Sequence, residues 1–251
     1  MNAIQPSCFA AFPDITAAIS TRLGGISPPP LGMNLSLSVG DDPDNVRRNR
    51  ELFFGGLGME NSELAFAGQV HGSRVVKVER GGMYWECDAL ITNVLRTFLC
   101  ISIADCVPIL MFDPASKAVA AVHAGWRGTS AGIIGVAVRR MVEEYAVEPS
   151  TVIAYIGPAA GVCCYEVGED VAGQFGPEVV RREGGKVYLD LKSDNARQMI
   201  LAGIQPGHIE ISPSCTITDG HLFHSYRRER EKSGRMMAVI GINSSPSTHR
   251  I

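Results

Sequence analysis

The sequence is short of the features that announce most binding classes. No apolar run approaches the roughly 20 residues of a membrane span. The N-terminal "MNAIQPSCFAAFPDI" lacks the basic-then-apolar layout of a secretory leader. The net charge is only −3, so no global basic field draws the chain to nucleic acid or to an anionic membrane surface. No HxH pair, CxxC pair, HExxH helix, Walker loop, GxGxxG or GxSxG occurs. Those absences remove compact zinc ribbons, zincins, P-loop and dinucleotide folds, and the serine hydrolase elbow. Together they predict a cytoplasmic protein that binds neither nucleic acid nor membrane.

What is present is an ordinary globular composition. Of 251 residues, 45% are apolar and 20% charged, enough for a sizeable core. There is no repeat, no low-complexity tract and no linker, so a single domain over residues 1–251 is expected. Seven cysteines, odd in number and irregular in spacing, read as thiols of a reducing compartment rather than a disulfide frame. The adjacent Cys163 and Cys164 read as packing.

Local patterns predict a mixed architecture. Residues 24–43 are Pro/Gly/Ser-rich and predict a loop. "DDPDNVRRNRELFF" predicts a helix with Pro43 at its first position. "ELAFAGQVHGSRVVKVE" reads as two strands broken at His71-Gly72, and "DALIT", "TFLCISIA", "VPILMF" and "KAVAAVH" add four more. Residues 129–146 predict a helix capped by Ser130, with Ile134, Val138, Met141 and Tyr145 on one side. "TVIAYIGP", "IEIS" and "MMAVIGI" predict strands, while "VGEDVAGQFG" and "LKSDNARQMILAG" predict helices. Strands and helices do not alternate regularly. An α+β fold of mixed sheets with flanking helices follows.

Three residues stand at the ends of apolar runs, two of them beside glycine-containing turns: His71 in "QVHG", Cys106 in "IADCVP" and His123 in "VHAGW". Two imidazoles and a thiolate suit a catalytic zinc with an open fourth position. The same residues also suit a metal-free pair in which His123 activates Cys106 as a nucleophile, with Asp105 available to orient an imidazole. "GWRGTS" adds Arg127 beside an expected helix start, a candidate anion site. Arg50 and Arg22 are further phosphate candidates. "HSYRREREKSGR" reads as a solvated or salt-bridged surface, and His221 and His224 lack a third ligand. A non-catalytic nucleoside- or phosphate-binding module remains a third class of reading.

Taken in order, "STRLGGISPP", "NLSLSVGDDPDNVRRNR", "GQVHGSRV", "CDALIT", "IADCVPILMFDP", "VAAVHAGWRGT", "IGPAAGVCCYEVG" and "FHSYRRE…SGR" resemble the YfiH-type laccase-domain family over nearly the whole chain. These proteins are also called polyphenol oxidoreductases or multifunctional purine nucleoside phosphorylases. The resemblance implies a single domain similar to the deamidase-toxin catalytic fold, and a catalytic zinc on His71, Cys106 and His123. It implies phosphorolysis of adenosine, guanosine, inosine and 5′-methylthioadenosine, and hydrolytic deamination of adenosine. Purine nucleosides and phosphate are the implied partners, with Asn34 and Arg50 near the substrate. "GPAAGVCC" departs from the family's usual "GPCI" at the pocket wall. The oxidase label fits poorly, since multicopper laccases need more than the six imidazoles present and show HxH pairs. A His₂Cys set nevertheless accepts copper, so a copper-dependent polyphenol oxidase stays as an alternative.

Overall fold

The computed structural model describes residues 2–243; residues 1 and 244–251 of the expected domain lie outside the described residues. Along the chain come β1 (Ala3–Ile4), β2 (Ile15–Ser20), α1 (Pro43–Gly56), β3 (Leu64–Gly68), β4 (Val75–Lys77), β5 (Gly82–Trp85), β6 (Ala89–Thr92) and β7 (Phe98–Ile103). There follow β8 (Val107–Asp113), β9 (Ala118–Ala124), α2 (Trp126–Ser130), α3 (Ile133–Tyr145), β10 (Ile153–Ile156), β11 (Glu166–Val167) and α4 (Glu169–Ala172). The last elements are β12 (Val180–Glu183), β13 (Lys186–Leu189), α5 (Leu191–Leu201), β14 (Ile209–Ile211), α6 (Tyr226–Glu229) and β15 (Met236–Ile242).

Two six-stranded mixed sheets, ordered β1-β2-β15-β7-β3-β5 and β14-β10-β8-β9-β6-β4, carry the fold, with a small β11-β13-β12 sheet beside them. Strand periodicity explains how they stack. In β8, Leu110 and Phe112 face the other sheet, where they meet Leu99 and Ile101 of β7 and Ala238 and Ile240 of β15. Val107, Ile109 and Met111, the alternate residues, face Ile133, Ala137 and Met141 of α3. On the far side of the first sheet, Phe98 and Val239 pack against Phe53 and Phe54 of α1. The layers therefore run helix, sheet, sheet, helix. Both central strands are buried on both faces, which is why they read as continuous apolar runs. Among the described residues, no helix is long and apolar enough to cross a membrane.

Several expectations hold. Asp42 caps α1 by accepting a hydrogen bond from the Asp44 N–H, with Pro43 at the first helical position. The single α+β domain of mixed sheets with flanking helices is the observed class. Others need correction. The helix expected over 129–146 is two helices, because Gly132 takes a left-handed φ of 71° between them. Ser130 ends α2 rather than capping α3, and its hydroxyl donates to Gln174. "VGEDVAGQFG" keeps one turn of helix, α4, before Gly173 and Gly176 intervene. The strands β2 and β5 and the β12–β13 hairpin were not foreseen; the hairpin turns through Gly184 and Gly185, both at positive φ.

Candidate active site

The β8–β9 hairpin builds the first half of the site. Its antiparallel register sets Val107 opposite Ala124 and Pro108 opposite His123, so the start of one strand meets the end of the other. Cys106 immediately precedes β8, and His123 is the penultimate residue of β9. By period two His123 shares the face of Val119 and Ala121, the face turned to the other sheet. The site thus opens at the seam between the two sheets.

His71 reaches the same point from the other sheet, on the loop after β3. That loop is fastened at both ends. The Gln69 side chain copies a strand pairing: its Nε2 donates to the Ser102 carbonyl at 2.8 Å and its Oε1 accepts from the Ser102 N–H at 2.7 Å. Asp88, just before β6 and fully buried, accepts from the backbone N–H groups of Val70, His71 and Gly72. His71 itself has a left-handed φ of 60°, the conformation of a tight turn rather than a strand end. Asp88 Oδ1 also lies 2.8 Å from His123 Nδ1, leaving Nε2 free to face Cys106. One carboxylate therefore fixes the His123 imidazole and the backbone of the loop that carries His71.

One ligand atom from each of His71, Cys106 and His123 lies within 4.8 Å of the others. The two imidazole rings meet edge to face, centroids 4.9 Å apart. Gly125 makes the space: a Cβ there would sit 3.0 Å from Cys106 Sγ and 3.2 Å from His71. Burial opposes ionisation of the Cys106 thiol, but the His123 imidazole and hydrogen bonds from both histidines bring it below the ordinary thiol range. Burial also disfavours charge on His123, and Cys106 and Asp88 override it upward. Each group thus favours the charged form of the other. Burial works against ionised Asp88 too, yet His123 and the Gly72 and Val70 N–H groups hold its carboxyl below the usual range. Asp105 was a candidate orienter of an imidazole; instead it accepts from Thr216 and the Arg227 N–H and braces the loop.

The cluster opens on a cavity of about 1080 Å³. Arg50, Arg127, Arg227 and Arg235 line it, and among the described residues none of these four pairs with a carboxylate within 4.0 Å. Each is held by neutral groups. Arg50 Nε donates to the Leu35 carbonyl and its guanidinium lies over Phe66; Arg127 stacks on Trp126, Arg227 on Tyr165 and Arg235 on Tyr226. Burial lowers the pKa of Arg50 and Arg235, which marks them as partly stripped of water. Although Asp105 and Glu86 also line the cavity, desolvated cations with no carboxylate in contact favour an anionic ligand. Phe66, Met83 and a 71% exposed Trp85 supply apolar wall.

The structure thus brings His71, Cys106, His123, Arg50 and Arg127 together, and leaves Asn34 behind the wall. The Asn34 side chain is buried and committed to Ser36, Asp41 and the Arg235 N–H, while Ser36, Leu37 and Ser38 line the cavity. Arg22 is a strut, paired with Glu229 at 2.6 Å, and is not a lining residue. "GWRGTS" begins a helix of one turn, so Arg127 rather than a helix terminus is its contribution. The Arg-rich 224–235 segment is not simply solvated surface, since Arg227 and Arg235 reach the cavity. Asp88 and Gln69 were also missed. A lone acid opening the apolar run "ALIT" was the available signal for Asp88.

A two-sheet α+β protein with a His₂Cys cluster at the sheet seam, facing a cationic cavity, is the class that fold and site define. Residues 16–243 match the family described as multi-copper polyphenol oxidoreductase laccase, and the chain belongs to that family. It is 40% identical over 233 residues to a purine nucleoside phosphorylase of Deinococcus radiodurans, covering 90% of this chain and 88% of that relative. It is 34% identical over 235 residues to purine nucleoside phosphorylase YfiH of Escherichia coli, covering 90% and 93%. The crystal structure of YlmD from Geobacillus stearothermophilus superposes with a TM-score of 0.89 at 33% identity, covering 97% of each chain.

Proposed function

We propose that this protein is a purine nucleoside phosphorylase that uses a zinc ion held by His71, Cys106 and His123, and that the same site deaminates adenosine. The observation that carries the reading is the meeting, in one cavity, of a His₂Cys ligand set with four guanidiniums that lack carboxylate partners. The names of its relatives support the phosphorylase part. The donor set fits a catalytic ion: three ligands, with the remaining side open to the cavity and cleared by Gly125. When bound, zinc supplies Lewis acidity next to the purine.

The chain's own residues do the rest. Arg50, Arg127, Arg227 and Arg235 bind phosphate and orient it towards C1′ of the ribose. A phosphate oxygen bonds to C1′ as the glycosidic C–N bond breaks, and the electron pair leaves with the base, which takes a proton. Free purine and the sugar 1-phosphate result, ribose-1-phosphate from the ribonucleosides and 5-methylthioribose-1-phosphate from 5′-methylthioadenosine. Phe66 and Trp85 offer apolar surface to the base. Adenosine, guanosine, inosine and 5′-methylthioadenosine are the substrates, and the reaction with water converts adenosine to inosine and ammonia.

The test is chromatography of products from each nucleoside with and without phosphate, on protein of measured metal content. Removing phosphate abolishes release of free base and spares deamination; chelation abolishes deamination. Elemental analysis separates zinc from copper. If no purine nucleoside yields free base in the presence of phosphate, the reading fails.

One observation favours a second reading. Cys106, His123 and Asp88 form a thiolate–imidazole–carboxylate line of the kind a metal-free hydrolase or deamidase uses. Hydrolysis of a glutamine or aryl amide by chelator-treated protein, blocked by thiol alkylation, supports it over the first.

A further inference from the structure

A second group of sulfurs lies outside the cavity. Cys163, Cys164 and Cys215 bring their sulfur atoms within 4.8 Å of one another, with Cys163–Cys164 at 3.2 Å and Cys164–Cys215 at 3.4 Å. Two of these residues are neighbours in the loop before β11, and the third comes from the segment after β14. All seven cysteines are free thiols. A bond between the adjacent pair is disfavoured geometrically. Consecutive Cα atoms lie about 3.8 Å apart, below the roughly 4.4–6.8 Å that disulfides span.

A donor and a cation face the Cys215 sulfur. The Gly161 N–H donates to Cys215 Sγ at 3.2 Å, and the Lys192 ammonium is anchored on the Ser212 and Ser214 carbonyls beside Cys215. The Thr218 N–H is also directed at this sulfur, whereas burial pushes the Cys163 and Cys164 thiols up. N–H groups aimed at a sulfur and a cation behind it are what a metal-bound thiolate needs around it. The cluster contains no imidazole and no carboxylate. Exposed Cys163 gives access, and buried Cys215 gives a rigid floor.

We propose that Cys163, Cys164 and Cys215 form a second metal site, selective for a soft closed-shell cation of the copper(I) or zinc(II) class, distinct from the His71–Cys106–His123 cluster. All-thiolate donors select such ions over hard ones. At metal–sulfur distances of about 2.3 Å, sulfurs on one ion lie roughly 3.7–4 Å apart. The cluster need open by only about half an ångström, and Cys163 is free to move. Binding releases the remaining thiol protons. The loop between Gly157 and Tyr165 links the two sites, since its Ala160 N–H bonds to the Asp105 carbonyl and its Tyr165 lines the cavity.

The test uses reduced, metal-stripped, full-length protein titrated separately with Cu⁺ and Zn²⁺ against chromophoric chelators. The Cys106→Ala variant, with the first cluster disabled, is expected to retain one equivalent of at least one ion, with a thiolate-to-metal absorption band for Cu⁺. Adding Cys164→Ser or Cys215→Ser should weaken that binding by at least about 10–100-fold, the cost of losing even an outer partner of a metal ligand. Should the Cys215→Ser protein fail to fold, Cys163→Ser, at an exposed position, carries the test. Absence of both ions from the Cys106→Ala protein overturns the proposal. So does undiminished binding in the serine variants, or freshly purified protein lighter by two hydrogens with Cys164 joined to Cys215.

Discussion

Asp88, just before β6, and His123, on the neighbouring β9, are joined twice: Asp88 Oδ1 lies 2.8 Å from His123 Nδ1, and the Asp88 carbonyl accepts the His123 N–H at 2.7 Å. The same carboxylate gathers the 70–72 loop, so ligand orientation and loop conformation depend on one buried side chain. Asp88→Asn replaces an acceptor with a donor that faces N–H groups. It should lower metal affinity about 10–100-fold and stability by about 2–3 kcal/mol, the cost of unsatisfied buried partners. Chelator competition and urea unfolding read the two effects. Metal affinity unchanged in a folded Asp88→Asn protein would remove Asp88 from the site.

Gly125→Ala separates site from fold. Gly125 has an ordinary extended backbone, φ −73° and ψ 171°, so alanine brings no conformational strain. Its methyl would nevertheless press on Cys106 Sγ and His71. The expected outcome is a loss of metal binding by at least about tenfold with stability changed by no more than about 1–3 kcal/mol, the usual cost of overpacking. Equal metal affinity in both proteins would mean the three ligands do not close on one ion.

Much of this was legible in the sequence, and the limits have physical causes. The His71, Cys106 and His123 set is weak as a bare pattern and leans on the family resemblance; the β8–β9 pair could be read because apolar runs joined by an Asp-Pro turn are local signals. The α1 cap could be read for the same reason. β2 could not: "ITAAIS" becomes a strand by pairing with β15, more than 200 residues later. Arg227 and Arg235 look like surface arginines in the text. They become cavity residues through tertiary contacts, the Arg227 N–H binding Asp105 and the Arg235 N–H binding Asn34. The three-sulfur cluster was hidden likewise, because Cys215 is 51 residues from Cys164.

Phosphate recognition should divide the two proposed reactions. Arg50→Gln and Arg127→Gln each remove one charged donor from a partly desolvated site, a loss of roughly 1.5–3 kcal/mol, or about 10–150-fold in apparent phosphate affinity. Arg227→Gln and Arg235→Gln belong to the same set. Adenosine deamination consumes no phosphate and should change far less. Steady-state kinetics with varied phosphate reads the division. A parallel loss of both reactions would assign these arginines to nucleoside positioning instead.

His224 should set an acid limit on stability. Its side chain is fully buried, and neither ring nitrogen has a hydrogen-bond partner among the described residues. The ring packs flat on Gly234, where there is no room for a Cβ. Burial lowers its pKa to about 4, and the facing cations Arg22, Arg235 and Arg228 push the same way, against the single carboxylate of Glu229. The unfolded imidazole protonates near its ordinary value of about 6.5. Between about pH 6.5 and 4 the unfolded chain therefore binds a proton that the native protein refuses. Stability is complete above this window and falls as the pH drops through it. A shift from about 6.5 to about 4 corresponds to a loss of about 3 kcal/mol at the acid end. Other ionisable groups also contribute to the pH dependence of the wild type, so a comparison of two proteins is needed. The difference between wild type and His224→Phe does, because both carry the same remaining groups. Urea midpoints measured from pH 7 down to pH 4 should fall less steeply for His224→Phe, by up to that amount. Identical slopes for the two proteins would mean that His224 enters the fold with its proton.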